Sequence, residues 1–174
     1  MPTGITLRSA TTGDHDDILD LVRDAFSVDG RDGQEEVTIV IDSWASGLIP
    51  VGLELVAIDH DAVVGHVLAA LGDLGGGKVP GVAPLAVSPL RQRTGIGSAL
   101  MLELLRRAES AGFPLVVLLG SPDYYRRFGF EPSGPLNITY PPVGDNPAFQ
   151  ACRLSSYDRS LEGEFTYCWE SDLG

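Results

Sequence analysis

The sequence predicts a mixed α/β sandwich in which helices flank a central sheet. Three observations carry this prediction. The chain has 174 residues, the size of one domain. Strand-like and helix-like hydrophobic periodicities alternate along it, and it contains no internal repeat or low-complexity segment. We therefore expect residues 1–174 to form one domain around one core.

The N-terminal part of the chain predicts one strand and two helices. Residues 5–8 form a short strand, and Thr12 or Asp14 is placed to cap the helix that follows. The apolar face of this helix consists of Ile18, Val22, Ala25 and Phe26. Residues 34–46 predict a second helix, although their segment VTIVI taken alone would suit a strand.

Three strands are predicted in the middle of the chain. Residues 53–59 and 62–71 flank a turn at residues 59–61 and predict a β-hairpin, and residues 84–87 predict a short apolar strand. The glycine-rich residues 72–81 have the composition of a linker.

From Gly95 onward apolar residues recur at helical spacing and predict a helix. Gly112 predicts the end of this helix. Residues 115–119 predict a buried strand. Ser121, with a hydroxyl suited to capping, then precedes a short helix that ends near Gly129. The last predicted features are, in order, a long loop at 131–147 and strands at 149–154 and 164–170.

Composition limits the classes of function. The net charge of −12 argues against a general nucleic-acid binder and suits a cationic or neutral substrate. No apolar run approaches the roughly 18 residues of a membrane span, and the first residues have no secretion-signal pattern, so we expect a cytoplasmic protein with no membrane partner. Cys152 and Cys168 are too few for a disulfide framework or a recognisable metal site, and we expect reduced core thiols and no metal.

A basic, glycine-containing turn interrupts this acidic background. Residues 88–100 read SPLRQRTGIGSAL, and between residues 91 and 127 six arginines stand against three acids. A strand that ends at such a turn and continues as a helix directs unpaired backbone N–H groups and the positive end of the helix dipole to one place. The segment therefore predicts a phosphate or pyrophosphate site.

Two well-known phosphate-binding motifs do not account for the turn. A Walker-type loop requires Gly-Lys followed by Ser or Thr, and neither tripeptide occurs in the chain. A dinucleotide fingerprint requires a third glycine where this chain has Leu100, and an acid after the next strand where it has Gly120-Ser121.

The third interpretation is a resemblance to the GNAT superfamily of N-acetyltransferases. Residues 92–97, QRTGIG, match the family's R/Q-x-x-G-x-G/A signature. PLAVSPLRQRTGIGSAL resembles its fourth strand, pyrophosphate loop and third helix, and LLGSPDYYRRFGF resembles its fifth strand and fourth helix. The resemblance implies an α+β fold with a mixed, mostly antiparallel sheet and a cofactor-binding core at about residues 53–130. Residues 131–174 match it poorly and are expected to form divergent C-terminal strands.

In that family the fourth and fifth strands separate and hold acetyl-CoA. The resemblance implies that the backbone of Leu85, Ala86 and Val87 pairs with the pantetheine arm. It also implies a pyrophosphate cradle made of Gln92, Arg93, Thr94, Gly95, Ile96, Gly97 and Ser98. Arg91 and Arg93 would help to neutralise the phosphates. Ser121 stands where the family often has an asparagine that contacts the pantetheine.

The resemblance also implies which group acts as the acid. A phenol can protonate the departing thiolate, and by the family's pattern this phenol belongs to Tyr125, with Tyr124 as the fallback. The fourth strand carries no acid or histidine, so the base remains open between water, Glu54 and His66.

The implied function is transfer of an acetyl group from acetyl-CoA to a primary amine, by direct attack in a ternary complex. The acceptor is a small molecule or a peptide amine. An alternative is a CoA-binding module that has lost catalysis and serves as a sensor or partner domain, and a third possibility is transfer of a longer acyl group. An exposed C-terminal strand at residues 164–170 would allow a homodimer.

Overall fold

The elements form largely where the hydrophobic patterns predict them. The computed structural model describes residues 3–170, with nine strands and four helices in that range. The strands are β1 (Ile5–Ser9), β2 (Glu54–Asp59), β3 (Ala62–Leu74), β4 (Gly77–Val87), β5 (Leu115–Leu119), β6 (Glu131–Pro132), β7 (Ile138–Thr139), β8 (Phe149–Arg153) and β9 (Gly163–Thr166). The helices are α1 (His15–Phe26), α2 (Gln34–Ser46), α3 (Ile96–Ser110) and α4 (Pro122–Tyr125). No helix in residues 3–170 is long and apolar enough to cross a membrane.

The sheet is mixed and mostly antiparallel, which confirms the expected fold class. Its strand order is β1-β2-β3-β4-β5-β8-β6, and β9 pairs with β3 and β7. Among the strand pairs of residues 3–170, only β4–β5 and β7–β9 are parallel. A parallel pair needs a crossover connection, and α3 supplies it between β4 and β5.

Helices cover both faces of this sheet. On one face, the apolar side of α3 packs against β2, β3 and β4 through Ile96, Leu100, Leu104, Leu105 and Ala108. On the other face, α1 and α2 pack against β3 and β4. Val37 and Val40 of the ambiguous VTIVI segment are buried on the sheet side of α2. The helical spacing of these two valines prevails over their strand propensity because it gives α2 a face to bury.

The start of α1 is held by Asp14, one of the two predicted capping residues. Asp14 occupies the N-cap position of α1, but its carboxylate turns back and accepts hydrogen bonds from the Thr11 backbone N–H at 2.7 Å and from Arg8. The Arg8 guanidinium, with Thr11, holds the pKa of Asp14 well below its usual range. Asp14 therefore ties the end of β1 to the first turn of α1.

The predicted linker at residues 72–81 is wrong, because this segment is a continuous β-hairpin. β3 runs to Leu74 and β4 starts at Gly77, so Gly75 and Gly76, both with positive φ, form a two-residue turn. Gly72 and Gly81 make room for an aromatic side chain from β9. A Cβ on Gly72 would lie 2.5 Å from Cε2 of Phe165, and one on Gly81 would lie 2.9 Å from its Cζ. The glycines thus reflect close packing rather than flexibility.

The C-terminal region also differs from the prediction. The expected loop at 131–147 contains β6, β7 and a 3₁₀ turn at Gly134–Leu136. The strand expected at 164–170 ends at Thr166, and Cys168–Glu170 is a 3₁₀ turn. All four residues of β9 pair with β3 or β7, and Phe165 is buried, so less of this strand is open to pairing than the sequence suggested; the homodimer stays a prediction. Cys152 is buried in β8 as predicted, and burial raises the pKa of its thiol to about 11.

Gly72→Ala should destabilise the fold by about 1–3 kcal/mol, because its Cβ would overlap the Phe165 ring and the Thr166 carbonyl oxygen. Urea denaturation measures this free energy of unfolding. Gly134→Ala is the matched control, since no atom lies within 4 Å of its Cβ position. Equal stability of the two variants would mean that β9 does not pack against the β3–β4 hairpin as described.

Candidate active site

The centre of the site is a gap between β4 and β5. The two strands pair only at Gly81 with Val117 and at Val82 with Leu118. From residue 83 onward no described residue pairs with β4 on its β5 side, and β4 remains paired with β3 through Leu85, Ala86 and Val87. The gap opens toward the N-terminus of α3 and the short helix α4.

A cavity of about 560 Å³ lies at this gap, and we call it the β4–α3 cavity. Its walls come from the end of β4, the loop before α3, the first turn of α3 and the α4 region. The lining residues are Leu85, Val87, Gln92, Arg93, Gly95, Gly97, Ser98, Tyr124, Tyr125 and Arg127. Seven of the eleven predicted cofactor-binding residues are therefore together in one cavity.

The loop before α3 is shaped by local contacts. The Gln92 side chain donates to the Val87 carbonyl at 3.3 Å, and the Thr94 hydroxyl donates to the Arg91 carbonyl at 2.6 Å. Arg93 and Gly95 have positive φ angles of 60° and 93°, which turn the chain sharply into α3. The first N–H groups of α3 have no intrahelical acceptor, and they face the cavity end of the helix.

The other four predicted cofactor residues do not line this cavity. Ala86 has its side chain in the core beneath α1 and α2, and Ile96 is buried on the opposite side of the sheet. The hydroxyl of Thr94 is used within the loop. Ser121 lines a second cavity, and its hydroxyl does not cap α4 as expected; instead its carbonyl accepts the N–H groups of Tyr124 and Tyr125.

The arginines near the loop differ in their surroundings. Arg91 forms an ion pair with the buried carboxylate of Asp59, which also accepts a hydrogen bond from His60 Nδ1 at 2.7 Å. Arg91 does not line the cavity, whereas Arg127 does. The Arg127 guanidinium lies 4.7 Å from the centroid of the Tyr124 ring, and its Nε donates to the Tyr124 carbonyl. Arg127 was missed because nothing in its local sequence separates it from Arg126.

Tyr124 and Tyr125 differ in where their side chains lie. The Tyr124 hydroxyl lies against the first turn of α3, 2.9 Å from where a Cβ of Gly97 would be. The Tyr125 ring packs against Gly120 at the end of β5 and against Phe130 of the core, with 5.9 Å between the two ring centroids. Burial, and to a lesser extent Tyr124, raises the pKa of Tyr125 to about 12. Tyr125 is therefore a neutral phenol, able to donate a proton, throughout the physiological range.

A second cavity of about 860 Å³ adjoins the first, and we call it the α2–β5 cavity. The two cavities share Leu85, Tyr124 and Tyr125. The acidic side chains in the lining of the second are Glu35, Glu36, Asp42 and Glu170, and the aromatic ones are Phe26, Tyr124, Tyr125, Tyr140, Tyr167 and Trp169. The tyrosine pair therefore stands where a basic cavity meets an acidic one.

The two side chains considered as bases are bonded to each other away from both cavities. His66 is fully buried, and its Nε2–H donates to Glu54 Oε1 at 2.9 Å. Trp44 Nε1 donates to the same oxygen at 2.8 Å. Burial alone would raise the pKa of Glu54, but the hydrogen bonds from His66 and Trp44 bring it below its ordinary value. Neither residue lines either cavity, so this pair is a buried polar contact between β2 and β3, to which Trp44 of α2 is also bonded.

Comparison with known proteins identifies the family to which this chain belongs. A model of the acetyltransferase (GNAT) domain matches residues 6–133. The uncharacterized N-acetyltransferase YhbS of Escherichia coli K12 is 32% identical over 145 residues, which is 82% of each chain.

Two solved structures extend the similarity over nearly the whole fold. Escherichia coli YhbS in complex with CoA has a TM-score of 0.84 and 30% identity, covering 96% of this chain and 91% of that one. A GNAT family acetyltransferase from Brucella melitensis in complex with acetyl-CoA has a TM-score of 0.77 and 29% identity, covering 94% and 95%. The chain belongs to the GNAT family of acetyltransferases.

Proposed function

We propose that the protein transfers an acetyl group from acetyl-CoA to a primary amine, by direct attack with both substrates bound. The observation that carries this proposal is the contact between the two cavities at Leu85, Tyr124 and Tyr125. One cavity holds the donor and the other holds the acceptor. The junction is the one place where the two substrates would meet, so no acetylated side chain is needed.

The β4–α3 cavity suits the phosphate-bearing end of acetyl-CoA. The N-terminus of α3 and the Arg93 and Arg127 side chains give it positive potential. Gly97 has no side chain, which leaves space beside the Tyr124 hydroxyl. A Cβ on Gly97 would lie 2.9 Å from that hydroxyl oxygen and would fill part of this space. The relatives with CoA or acetyl-CoA bound support the same ligand in this chain. The proposed cofactor-binding core remains residues 53–130.

Acetyl-CoA supplies an activated thioester. Residues 83–87 of β4, unpaired on the β5 side, are free to pair with the pantetheine arm through their backbone. Tyr125, which is a neutral phenol, donates its proton to the departing thiolate, and the phenolate then regains a proton from solvent. We assign removal of the amine proton to solvent water, since Glu54 and His66 are bonded to each other outside the two cavities.

The experiment that tests the function is release of the CoA thiol from acetyl-CoA in the presence of amines. The panel comprises simple amines, amino acids, polyamines, aminoglycosides and peptide N-termini. Transfer to at least one class supports the proposal. Tight acetyl-CoA binding with no transfer to any of them would favour the catalytically inactive binding module. Competition by longer acyl-CoA thioesters tests the choice of acyl group.

Asp59→Asn should weaken acetyl-CoA binding about three- to tenfold. The change removes the charge-assisted contact that fixes Arg91, the last residue before the cradle, so the loop loses part of its preorganisation. Calorimetric titration measures the affinity. Asp73→Asn is the matched control, because it breaks a half-exposed ion pair to Lys78 in the β3–β4 hairpin. Equal affinities for the two variants would show that the Arg91 anchor does not position the loop.

A further inference from the structure

We propose that the acceptor is a small organic dication, with one amine that is acetylated and a second nitrogen that stays protonated and binds Glu36. This inference rests on the proposed function for the assignment of the α2–β5 cavity as the acceptor site. It deepens that function by naming the substrate class.

The wall of the α2–β5 cavity is acidic. Three of the four lining carboxylates, Glu35, Glu36 and Asp42, come from α2, and Glu170 comes from the 3₁₀ turn after β9. Among the described residues, no lysine, arginine or histidine lines this cavity. An anionic acceptor would be repelled, and a cationic one would be attracted.

Glu36 differs from its neighbour Glu35 in the burial of its side chain. It is only 12% exposed, whereas the neighbouring Glu35 side chain is 80% exposed. Oε1 of Glu36 pairs with Arg31, but Oε2 is buried and has no hydrogen-bond partner among the described residues. A buried carboxylate oxygen without a donor is costly. Because Glu36 lines the cavity, a rotation of its carboxylate would bring Oε2 to an ammonium group there, which would supply that donor.

The carboxylates are poorly suited to the nitrogen that reacts. The attacking amine must be neutral, and a nearby negative charge stabilises its protonated form. The reacting nitrogen belongs at the junction beside Tyr124 and Tyr125, where no carboxylate is shared between the two cavities. The acidic wall is therefore better matched to a second nitrogen, which can remain charged while the first one reacts.

The rest of the lining suits the aliphatic part of such a molecule. Trp169 stacks on Tyr167 with ring centroids 4.2 Å apart, and Tyr140 donates its hydroxyl hydrogen to Glu170. Aromatic faces bind both methylene chains and ammonium groups. A dication with a short apolar spacer would thus find an apolar surface between its two nitrogen sites.

The test uses three ligands of equal chain length: cadaverine, pentylamine and the corresponding ω-amino acid. Their distal groups are cationic, apolar and anionic. Binding is measured by calorimetry on the full chain saturated with CoA, and kcat/KM by acetyl transfer. Putrescine and propanediamine with their matched monoamines cover shorter spans. We expect the best diamine to bind about tenfold more tightly than its monoamine, and the amino acid to bind most weakly.

Glu36→Gln should remove this preference while leaving the affinity for the monoamine within about twofold. It preserves the shape of the side chain and takes away one charge. Glu164→Gln is the matched control, because Glu164 is exposed on β9 and lines neither cavity, and it should retain the full preference.

The outcomes separate this inference from the proposed function. Equal affinity for every diamine and its monoamine, or a preference that persists in Glu36→Gln, overturns the dication. Equal kcat/KM values for the diamines and their monoamines would also overturn the dication, while upholding acetyl transfer. A charge preference that depends on Glu36, without acetyl transfer to any of the amines, upholds the binding chemistry and counts against the proposed enzyme.

Discussion

Tyr125→Phe should lower kcat about a hundredfold while acetyl-CoA affinity stays within about twofold. The change removes one oxygen and keeps the ring that packs against Gly120 and Phe130. Because the phenol acts only as the thiolate departs, its loss affects the transition state rather than ground-state binding. Steady-state kinetics with the acceptor found in the amine panel, together with calorimetry for acetyl-CoA, measures both quantities.

Tyr124→Phe is the matched control for this result. The Tyr124 hydroxyl lies over the first turn of α3 rather than at the end of β5, so its loss should weaken acetyl-CoA binding more than it lowers kcat. The opposite pattern, with the large loss of kcat in Tyr124→Phe, would assign the acid to Tyr124. Unchanged kcat in both variants would exclude a tyrosine acid and leave the family assignment intact.

The pH dependence of kcat gives an independent check on Tyr125. Burial raises its pKa from the ordinary value of 10.0 to about 12, so the proton is retained well above neutral pH. Any alkaline fall in kcat caused by Tyr125 should therefore lie near pH 12 rather than near 10. The same shift means that the stability contributed by the buried neutral phenol is fully present below pH 10 and is lost as pH rises toward 12.

Patterns contained within a few neighbouring residues predicted most of the fold correctly. The β2–β3 hairpin, α3 and β5 each depend on a local hydrophobic period and a turn signal, and all three form close to the predicted bounds. The QRTGIG motif likewise predicted where the β4–α3 cavity lies, because a strand-turn-helix junction carries its own N–H groups and glycines. At these positions the neighbouring residues alone were sufficient to predict the local structure.

Features set by contacts distant in the sequence could not be predicted in this way. The glycines at 72 and 81 looked like a linker because Phe165, the ring for which they make room, follows more than 80 residues later. Arg91 looked like a phosphate ligand because its partner Asp59 lies at the far end of the β2–β3 hairpin. Glu36 could not be recognised because its free oxygen becomes unusual only once it is buried beside a cavity.

Gly97→Asp should weaken acetyl-CoA binding about a hundredfold or more, without a comparable loss of stability. The new carboxylate would stand in the first turn of α3, where it would repel the phosphates, and its Cβ would lie 2.9 Å from the Tyr124 hydroxyl oxygen. The fold should tolerate the change, since an acid in the first turn of a helix interacts favourably with the dipole by about 0.3–1 kcal/mol. Calorimetry gives the affinity and urea denaturation the free energy of unfolding.

Two controls separate charge from bulk in this result. Gly97→Ala introduces the same Cβ without the charge, and because the Tyr124 hydroxyl is the free end of a side chain that can shift, the loss of affinity should stay below about tenfold. Gly134→Asp adds the same charge where no atom lies within 4 Å of the Cβ position, and it should leave affinity unchanged. If Gly97→Asp bound acetyl-CoA as tightly as the unmodified chain, the pyrophosphate could not lie against this turn, and the basic loop would need another ligand.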